Sequence, residues 1–374
     1  MKIPFLDLKK VNAELQEEIS NAARSAIDSG WYILGKAGEA FERNCKLSLV
    51  GSDPGAVIGC NSGTDALVLS LLAAGVGQGD EVITVSHTAI PTISAIVAVS
   101  ATPVFVDINP KTWVLDLHHV QKAVSARTKA IVPVHLYGNM VDVHALQELL
   151  SRMKREDICI VEDVAQAQGS SLTGRQAGTI GRFGAFSFYP SKNIGALGDG
   201  GAVFCRDGAD AQKLRSLRNY GQKDRYHADL RRGINSRLDE VQAAILNAKL
   251  GRLSDWNKRK AAFMANYRSR LSDFPCAFQQ VTDRCEPAWH LCVLSVESRD
   301  VRDRLMTHLS QAGIQTLIHY PIPTHMQPAF AAYSRGVLTV TEDIAGRILS
   351  LPLNTSLSGS DVDTVIEAIR SFFK

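Results

Sequence analysis

Seven short runs of β-branched and apolar residues are spaced along the chain between residues 56 and 205: AVIGC (56–60), EVITV (81–85), TPVFV (102–106), KAIVPVH (129–135), ICIVED (158–163), AFSFY (185–189) and GAVFC (201–205). Most are continuously apolar rather than alternating, the pattern of strands covered on both faces. Helical stretches separate most of them, so the pattern predicts an α/β fold: a three-layer, mainly parallel sheet with helices on each side. Beyond Asp163 the spacing shortens, and AFSFY and GAVFC follow one another with only a loop between, which predicts some antiparallel pairing. An amphipathic helix over about 11–28 opens the chain, followed by a glycine-flanked aromatic turn, SGWYILGK (29–36). From Ser236 the apolar positions switch to three- and four-residue steps, predicting one long connecting helix. HLCVLSV (290–296), IQTLIHY (314–320) and two further helical segments then predict a smaller C-terminal α/β domain. The expected division is 1–245 for the large domain and 246–374 for the small one, packed together because no low-complexity linker separates them.

A chain of 374 residues, 45% hydrophobic and 21% charged, is long enough for one large core and a second smaller one. Forty-one basic against 38 acidic residues leave a net charge of +3, so bulk charge points to no nucleic-acid partner, and any anion has to be held locally. The N-terminal MKIPFLDLKK has no long apolar run behind its charges, and no uninterrupted apolar stretch is long enough to cross a bilayer. The expectation is a cytoplasmic protein without a membrane partner. Seven scattered cysteines, odd in number and without a Cys-x-x-Cys pair, read as buried reduced thiols.

Three segments carry candidate chemistry. In SFYPSKNIGALGDGGAV (187–203), Lys192 follows a buried strand and precedes Gly195, Gly198, Gly200 and Gly201, where backbone can approach a ligand closely. A surface lysine would be solvated; one among small and aromatic neighbours is desolvated and nucleophilic toward an aldehyde. In ICIVEDVAQAQG (158–169) an apolar strand ends in Glu162 and Asp163, at the carboxyl edge where open α/β sheets bind ligands. Such an aspartate can be a turn residue or helix cap; beside a reactive lysine it can instead keep a pyridine nitrogen protonated. In CNSGTDALVLSLLAAG (60–75) a strand meets a helix through Asn61, Ser62, Gly63 and Thr64, either a simple N-cap or a phosphate site at a helix N-terminus. The glycines of GVGQGD (75–80) follow a helix and precede a strand, the reverse of a dinucleotide fingerprint. No histidine set with metal-ligand spacing is evident, and no metal is expected.

Together, NSGTDAL, EDVAQA, SFYPSKNIGALGDGGA, RNYGQKDRY, GINSRLDEVQAAIL and HYPIPTHMQPAF resemble the DegT/DnrJ/StrS family of pyridoxal-phosphate-dependent sugar aminotransferases, from PFLDL near residue 4 to SLPLN near residue 350. The resemblance implies the fold type I of aspartate aminotransferase, a homodimer, and transfer of an amino group from L-glutamate to a nucleotide-linked keto sugar through pyridoxal and pyridoxamine phosphate. By motif, Lys192 resembles the lysine that carries the cofactor as a Schiff base and shuttles its proton, and Asp163 the partner of the pyridine nitrogen. Gln166, one helical step further on, resembles the residue near the ring hydroxyl. Gly63, Thr64 and Ser187 resemble the phosphate cradle. Asn235 resembles a residue reaching the phosphate from the neighbouring subunit, or else caps the connecting helix.

Two positions depart from the family pattern. Ala89 stands where an aromatic commonly stacks on the pyridine ring, leaving His87 to supply that face, and Gln168 replaces a histidine. Members that became dehydratases replace the lysine, which is intact here. The resemblance is greatest to members that aminate C3 of dTDP-3-keto-6-deoxyhexoses. A C4-keto-sugar or cyclitol aminotransferase, or a non-catalytic regulatory member of the fold, are the alternatives. Candidate substrate contacts are Trp31, Tyr32, Tyr189, His319 and Tyr320, each equally readable as core or interface, and Arg218 and Lys223, which can meet a diphosphate or simply be solvated.

Overall fold

In a computed structural model of the protein, residues 2–374 are described. Met1, the first residue of the expected large domain, lies outside them. All seven apolar runs form strands of one sheet: β1 (Ala56–Cys60), β2 (Glu81–Val85), β3 (Thr102–Val106), β4 (Thr128–Val132), β5 (Cys159–Asp163), β6 (Phe183–Ser187) and β7 (Gly201–Cys205). Their spatial order is β1, β7, β6, β5, β4, β2, β3. Only β7 runs against its neighbours, as the helix-free connection after β6 requires. β4 stops at Val132 because Pro133 has no N–H for the ladder. Alternate residues feed two cores: Ile83 and Val85 face one, Val82 the other. The helix Gly63–Ala73 is buried nearly all round, which closes a three-layer α/β fold.

The second sheet is antiparallel, Cys276–Phe278, Cys292–Val296 and Ile348–Leu351, backed by the helices Arg299–Gln311 and Gly359–Phe373. IQTLIHY is no strand: it makes only single bridges, Ile314 to Ile3 and Leu317 to Ser350. The third strand is instead ILSL, which follows the helix Thr339–Arg347 without any intervening turn residue. The long helical stretch is two helices, Glu240–Leu250 and Leu253–Arg270, interrupted at Gly251, where glycine weakens helix propagation. The opening helix is likewise split into Leu8–Ala13 and Gln16–Asp28.

The N-terminal segment lies against the C-terminal half. Ile3 packs in the core of the second sheet, Phe5 N donates to Gln315 Oε1 (3.0 Å), and Asn354 Nδ2 donates to Phe5 O (3.0 Å). No helix among the described residues is long and apolar enough to cross a membrane. All seven cysteines are free thiols, six of them buried, and burial raises the pKa of each one whose value departs from normal.

Candidate active site

The carboxyl edge of the sheet gathers the predicted segments. Because β7 is antiparallel, its first residue Gly201 pairs with the last residues of both β1 and β6, Cys60 and Ser187. A Cβ on Gly201 would lie 2.2 Å from the Ser62 carbonyl oxygen, and one on Gly63 would lie 2.4 Å from Ser187 Cβ. Only glycine permits this approach, and it brings the first turn of the helix Gly63–Ala73 against the Ser187 hydroxyl. Ser62 caps that helix, accepting from Asp65 N (3.1 Å), so the capping and anion-site readings hold together: the cap uses Ser62, while Gly63 and Thr64 stay at the open helix end.

The lysine loop is held by groups outside its own motif. Gln168 Oε1 accepts from Ile194 N (2.8 Å) and its Nε2 donates to Ser187 O (2.6 Å), joining the end of β6 to the loop. The amide that replaces the family's histidine thus spans both sides. Asn193 Nδ2 donates to Asn257 Oδ1 (2.9 Å) and Ala288 O (3.1 Å), and Lys249 Nζ donates to Gly195 O (2.7 Å). Gln168 is 1% exposed, so Gln168→Leu leaves two backbone groups unpaired and costs about 1–3 kcal/mol, read as a lowered denaturation midpoint with the slope unchanged.

Lys192 makes no side-chain hydrogen bond among the described residues. Burial pulls its amine down to about 8, against the attraction of Asp163. Asp163, the last residue of β5, is 5% exposed and accepts from Thr92 Oγ1 (2.9 Å) and Ala165 N (3.1 Å). Burial raises its pKa despite these bonds and the nearby Lys192, since no cation among the described residues touches it. Glu162 points to the other face. There burial would raise its pKa, but His135 Nε2 (2.8 Å) and the N–H groups of Gly178, Ile180 and Gly181 outweigh burial and keep it ionised.

Gln166 lies in a turn rather than on a helix, and both ends of its amide are engaged: Oε1 accepts from Tyr137 N (2.9 Å) and Nε2 donates to Tyr320 Oη (2.9 Å). Tyr137 Oη donates to the His319 carbonyl, so the 2.9 Å contact with His87 is one in which His87 Nε2 donates. Burial lowers His87 to about 4 and pushes Tyr320 up to about 12, so both are neutral near pH 7. His319 Nδ1 pairs with Ser350 Oγ (2.8 Å) and is also pulled to about 4, by burial and then by Lys192.

The remaining candidates lie apart from this network. Tyr189 follows Ser187 and is 55% exposed; Trp31 and Tyr32 are exposed in the glycine-flanked turn. Arg218 is buried and engaged, donating to Glu42 Oε1 and Gly59 O, so it is a structural tie rather than an open anion site. Lys223 is exposed on the hairpin Gln222–Ala228. Asn235 is exposed and caps nothing, since the helix it precedes begins at Glu240; its neighbour Ser236 donates to Asp65 Oδ2 (2.7 Å). Thr92 and Tyr137 were not singled out in the sequence, having no motif beyond an ordinary hydroxyl. No group of three or more metal-ligating side chains occurs among the described residues.

Pyridoxal phosphate requires an amine reactive near neutral pH, a carboxylate for a ring nitrogen and donors for a phosphate. Lys192 is a candidate for the first, Asp163, buried with no cation in contact among the described residues, for the second, and the Gly63, Thr64 and Ser187 corner for the third.

Residues 13–370 match the model of the DegT/DnrJ/EryC1/StrS aminotransferase family. The erythromycin biosynthesis sensory transduction protein EryC1 of Saccharopolyspora erythraea is 45% identical over 99% of this chain and 100% of its own length. The dTDP-3-amino-3,4,6-trideoxy-alpha-D-glucose transaminase of Streptomyces venezuelae is 43% identical over 99% of this chain and 96% of its own. The crystal structure of S. venezuelae DesV in complex with a ketimine intermediate superposes with a TM-score of 0.94 at 42% identity, covering 100% of this chain and 98% of that one. The fold, the edge of the sheet where the predicted segments meet and these whole-length similarities agree: the chain belongs to the DegT/DnrJ/EryC1/StrS aminotransferase family.

Proposed function

We propose that this sugar aminotransferase moves the amino group of L-glutamate to C3 of a dTDP-linked 3-keto-6-deoxyhexose, as a cytoplasmic homodimer. The observation that carries the reading is one edge of one sheet, where an uncommitted lysine amine, a buried carboxylate with no hydrogen-bonded cation and a glycine-tightened helix end converge. Pyridoxal phosphate is the cofactor, and when bound it supplies the electron sink that stabilises negative charge on the amino-bearing carbon. Lys192 would carry it between turnovers, and its released Nζ would move the proton between the substrate carbon and C4′ of the cofactor. Asp163, oriented by Thr92, keeps a proton on the ring nitrogen. Gly63, Thr64 and Ser187 would hold the phosphate, and the neutral His87, Gln166 and Tyr320, linked to one another through Tyr137, would add no charge to the site.

The dimer reading rests on Asn235, whose exposed side chain has no hydrogen-bond partner among the described residues, and on the exposed Trp31, Leu34 and Ile90, which a second subunit would cover. The C3 assignment rests on the dTDP-3-amino sugar transaminase at 43% identity.

Because the 45% identical relative is named a sensory transduction protein, a chain that binds cofactor without turnover is the competing reading. Adding L-glutamate to the loaded protein separates the two: the cofactor's visible band bleaches in an aminotransferase and persists in a sensor. Supplying a dTDP-3-keto-6-deoxyhexose should then restore the band and yield the 3-amino sugar. Restoration by a 4-keto sugar alone would move the site of amination to C4.

A further inference from the structure

A second lysine shares the cavity of Lys192. Along the helix Leu253–Arg270, the buried residues Leu253, Trp256, Met264 and Tyr267 form an apolar stripe, and the stripe passes through position 260. The pattern calls for an apolar residue there, yet the chain has Lys260, 4% exposed and without a hydrogen-bond or ion-pair partner among the described residues. An amine placed so is costly to the fold unless something else pairs with it.

Lys260 lines a cavity of about 310 Å³ beneath the N-terminal segment, together with Phe5, Lys192, His290, Leu317 and His319. None of the described residues lining it is an aspartate or glutamate. Its other polar groups are largely engaged: Gln315 and Asn354 hold the backbone of Phe5, His290 Nδ1 pairs with Asn193 Oδ1 (3.2 Å), and His319 pairs with Ser350. Burial, then Lys192 and Lys260, hold His290 well below the usual imidazole range, so it is neutral. With Lys192 committed to the cofactor, Lys260 is the one remaining basic side chain in the wall that a ligand anion can pair with.

We infer that Lys260 binds a carboxylate of the amino donor, so that the cavity under the N-terminal segment is the subsite for a dicarboxylic amino acid. This deepens the aminotransferase reading and rests on it. The anion could otherwise come from the diphosphate of the nucleotide sugar. A volume of about 310 Å³ is at the small end of ligand pockets, which favours an amino acid over a nucleotide-linked hexose. Burial pulls the amine of Lys260 down to about 7, and a bound carboxylate supplies the negative charge that the wall lacks.

The test is calorimetric titration of glutarate, an unreactive dicarboxylate, into the cofactor-loaded and unloaded protein, for wild type, Lys260→Met and Lys260→Arg. Loss of a charge-assisted bond predicts a Kd for glutarate about 10- to 100-fold weaker in Lys260→Met, largely recovered in Lys260→Arg. In steady-state assays the KM for L-glutamate should rise by a similar factor in Lys260→Met while that for the keto sugar holds. If Lys260→Met does not fold, Lys260→Gln carries the same comparison. Unchanged glutarate binding overturns the inference, and so does a rise confined to the sugar's KM, which would give the amine to the diphosphate. A wild-type protein that takes up no pyridoxal phosphate would instead sink the aminotransferase reading, a separate outcome visible in its spectrum.

Discussion

Replacing Lys192 with alanine should lower glutamate-dependent turnover by at least about 10³-fold, since it removes both the covalent attachment and the proton shuttle, and general acid–base catalysis alone contributes about 10²–10⁴. The fold should tolerate the change. The amine has no hydrogen-bond partner to orphan, and its burial disfavours the charged form, so the stability difference should stay within about 1 kcal/mol. Chemical denaturation and single-turnover kinetics on one preparation separate these effects: a large loss of stability alongside the loss of rate would assign Lys192 a structural role. Near pH 8 about half of the free lysine is already the neutral amine, the form that attacks the aldehyde of the cofactor when the unloaded protein takes it up.

Asp163→Asn should be the second most damaging change, lowering turnover about 10²–10³-fold, the cost of removing a preorganised charge from a dry site. Here the expected change in stability goes the other way. Burial raises the carboxyl of Asp163 above its ordinary range, so ionising it in the fold is unfavourable, and the isosteric amide should preserve or slightly increase stability. The Thr92 hydroxyl can rotate to pair with either amide atom. The change also removes the one attraction that raises the Lys192 pKa, so the lysine should titrate below its present value of about 8, measurable on the unloaded protein by pH-dependent amine labelling. An Asp163→Asn protein with wild-type turnover would show that the carboxylate faces no ring nitrogen.

Much of this fold was legible in the sequence because buried parallel strands leave continuous apolar runs, and all seven runs became strands of one sheet. The errors have physical causes. IQTLIHY has the composition of a strand but finds only isolated partners, whereas ILSL pairs along its length with Cys292–Val296 although no turn announces it. The helix breaks at Glu14 and Gly251 fall within uninterrupted amphipathic patterns. In the candidate site, Lys192, Asp163, Gly63 and Ser187 belong to local motifs, which is why the sequence alone singles them out. Their supports could not: Thr92 is 71 residues from Asp163, and Gln168 is 26 from Ile194. Arg218 appeared available to a diphosphate because its partner Glu42, 176 residues away, is invisible to a local reading. Lys260 hid for the opposite reason: a lysine inside an apolar stripe passes for a solvated interruption until the helix face is known to be buried.

That buried lysine also sharpens the central test. Three lysines, Lys192, Lys249 and Lys260, have amines pulled by burial to about 7 or 8, so a depressed pKa does not by itself identify the cofactor's carrier. Their surroundings favour Lys192: Lys249 is engaged by the Gly195 carbonyl, and of the three only Lys192 has Asp163 among the charges acting on it. The most direct measurement is therefore borohydride reduction of the protein loaded with pyridoxal phosphate, followed by mass mapping of its peptides. A stable phosphopyridoxyl adduct is expected on Lys192 and on no other lysine; an adduct on Lys249 or Lys260, or none at all, would overturn Lys192 as the carrier.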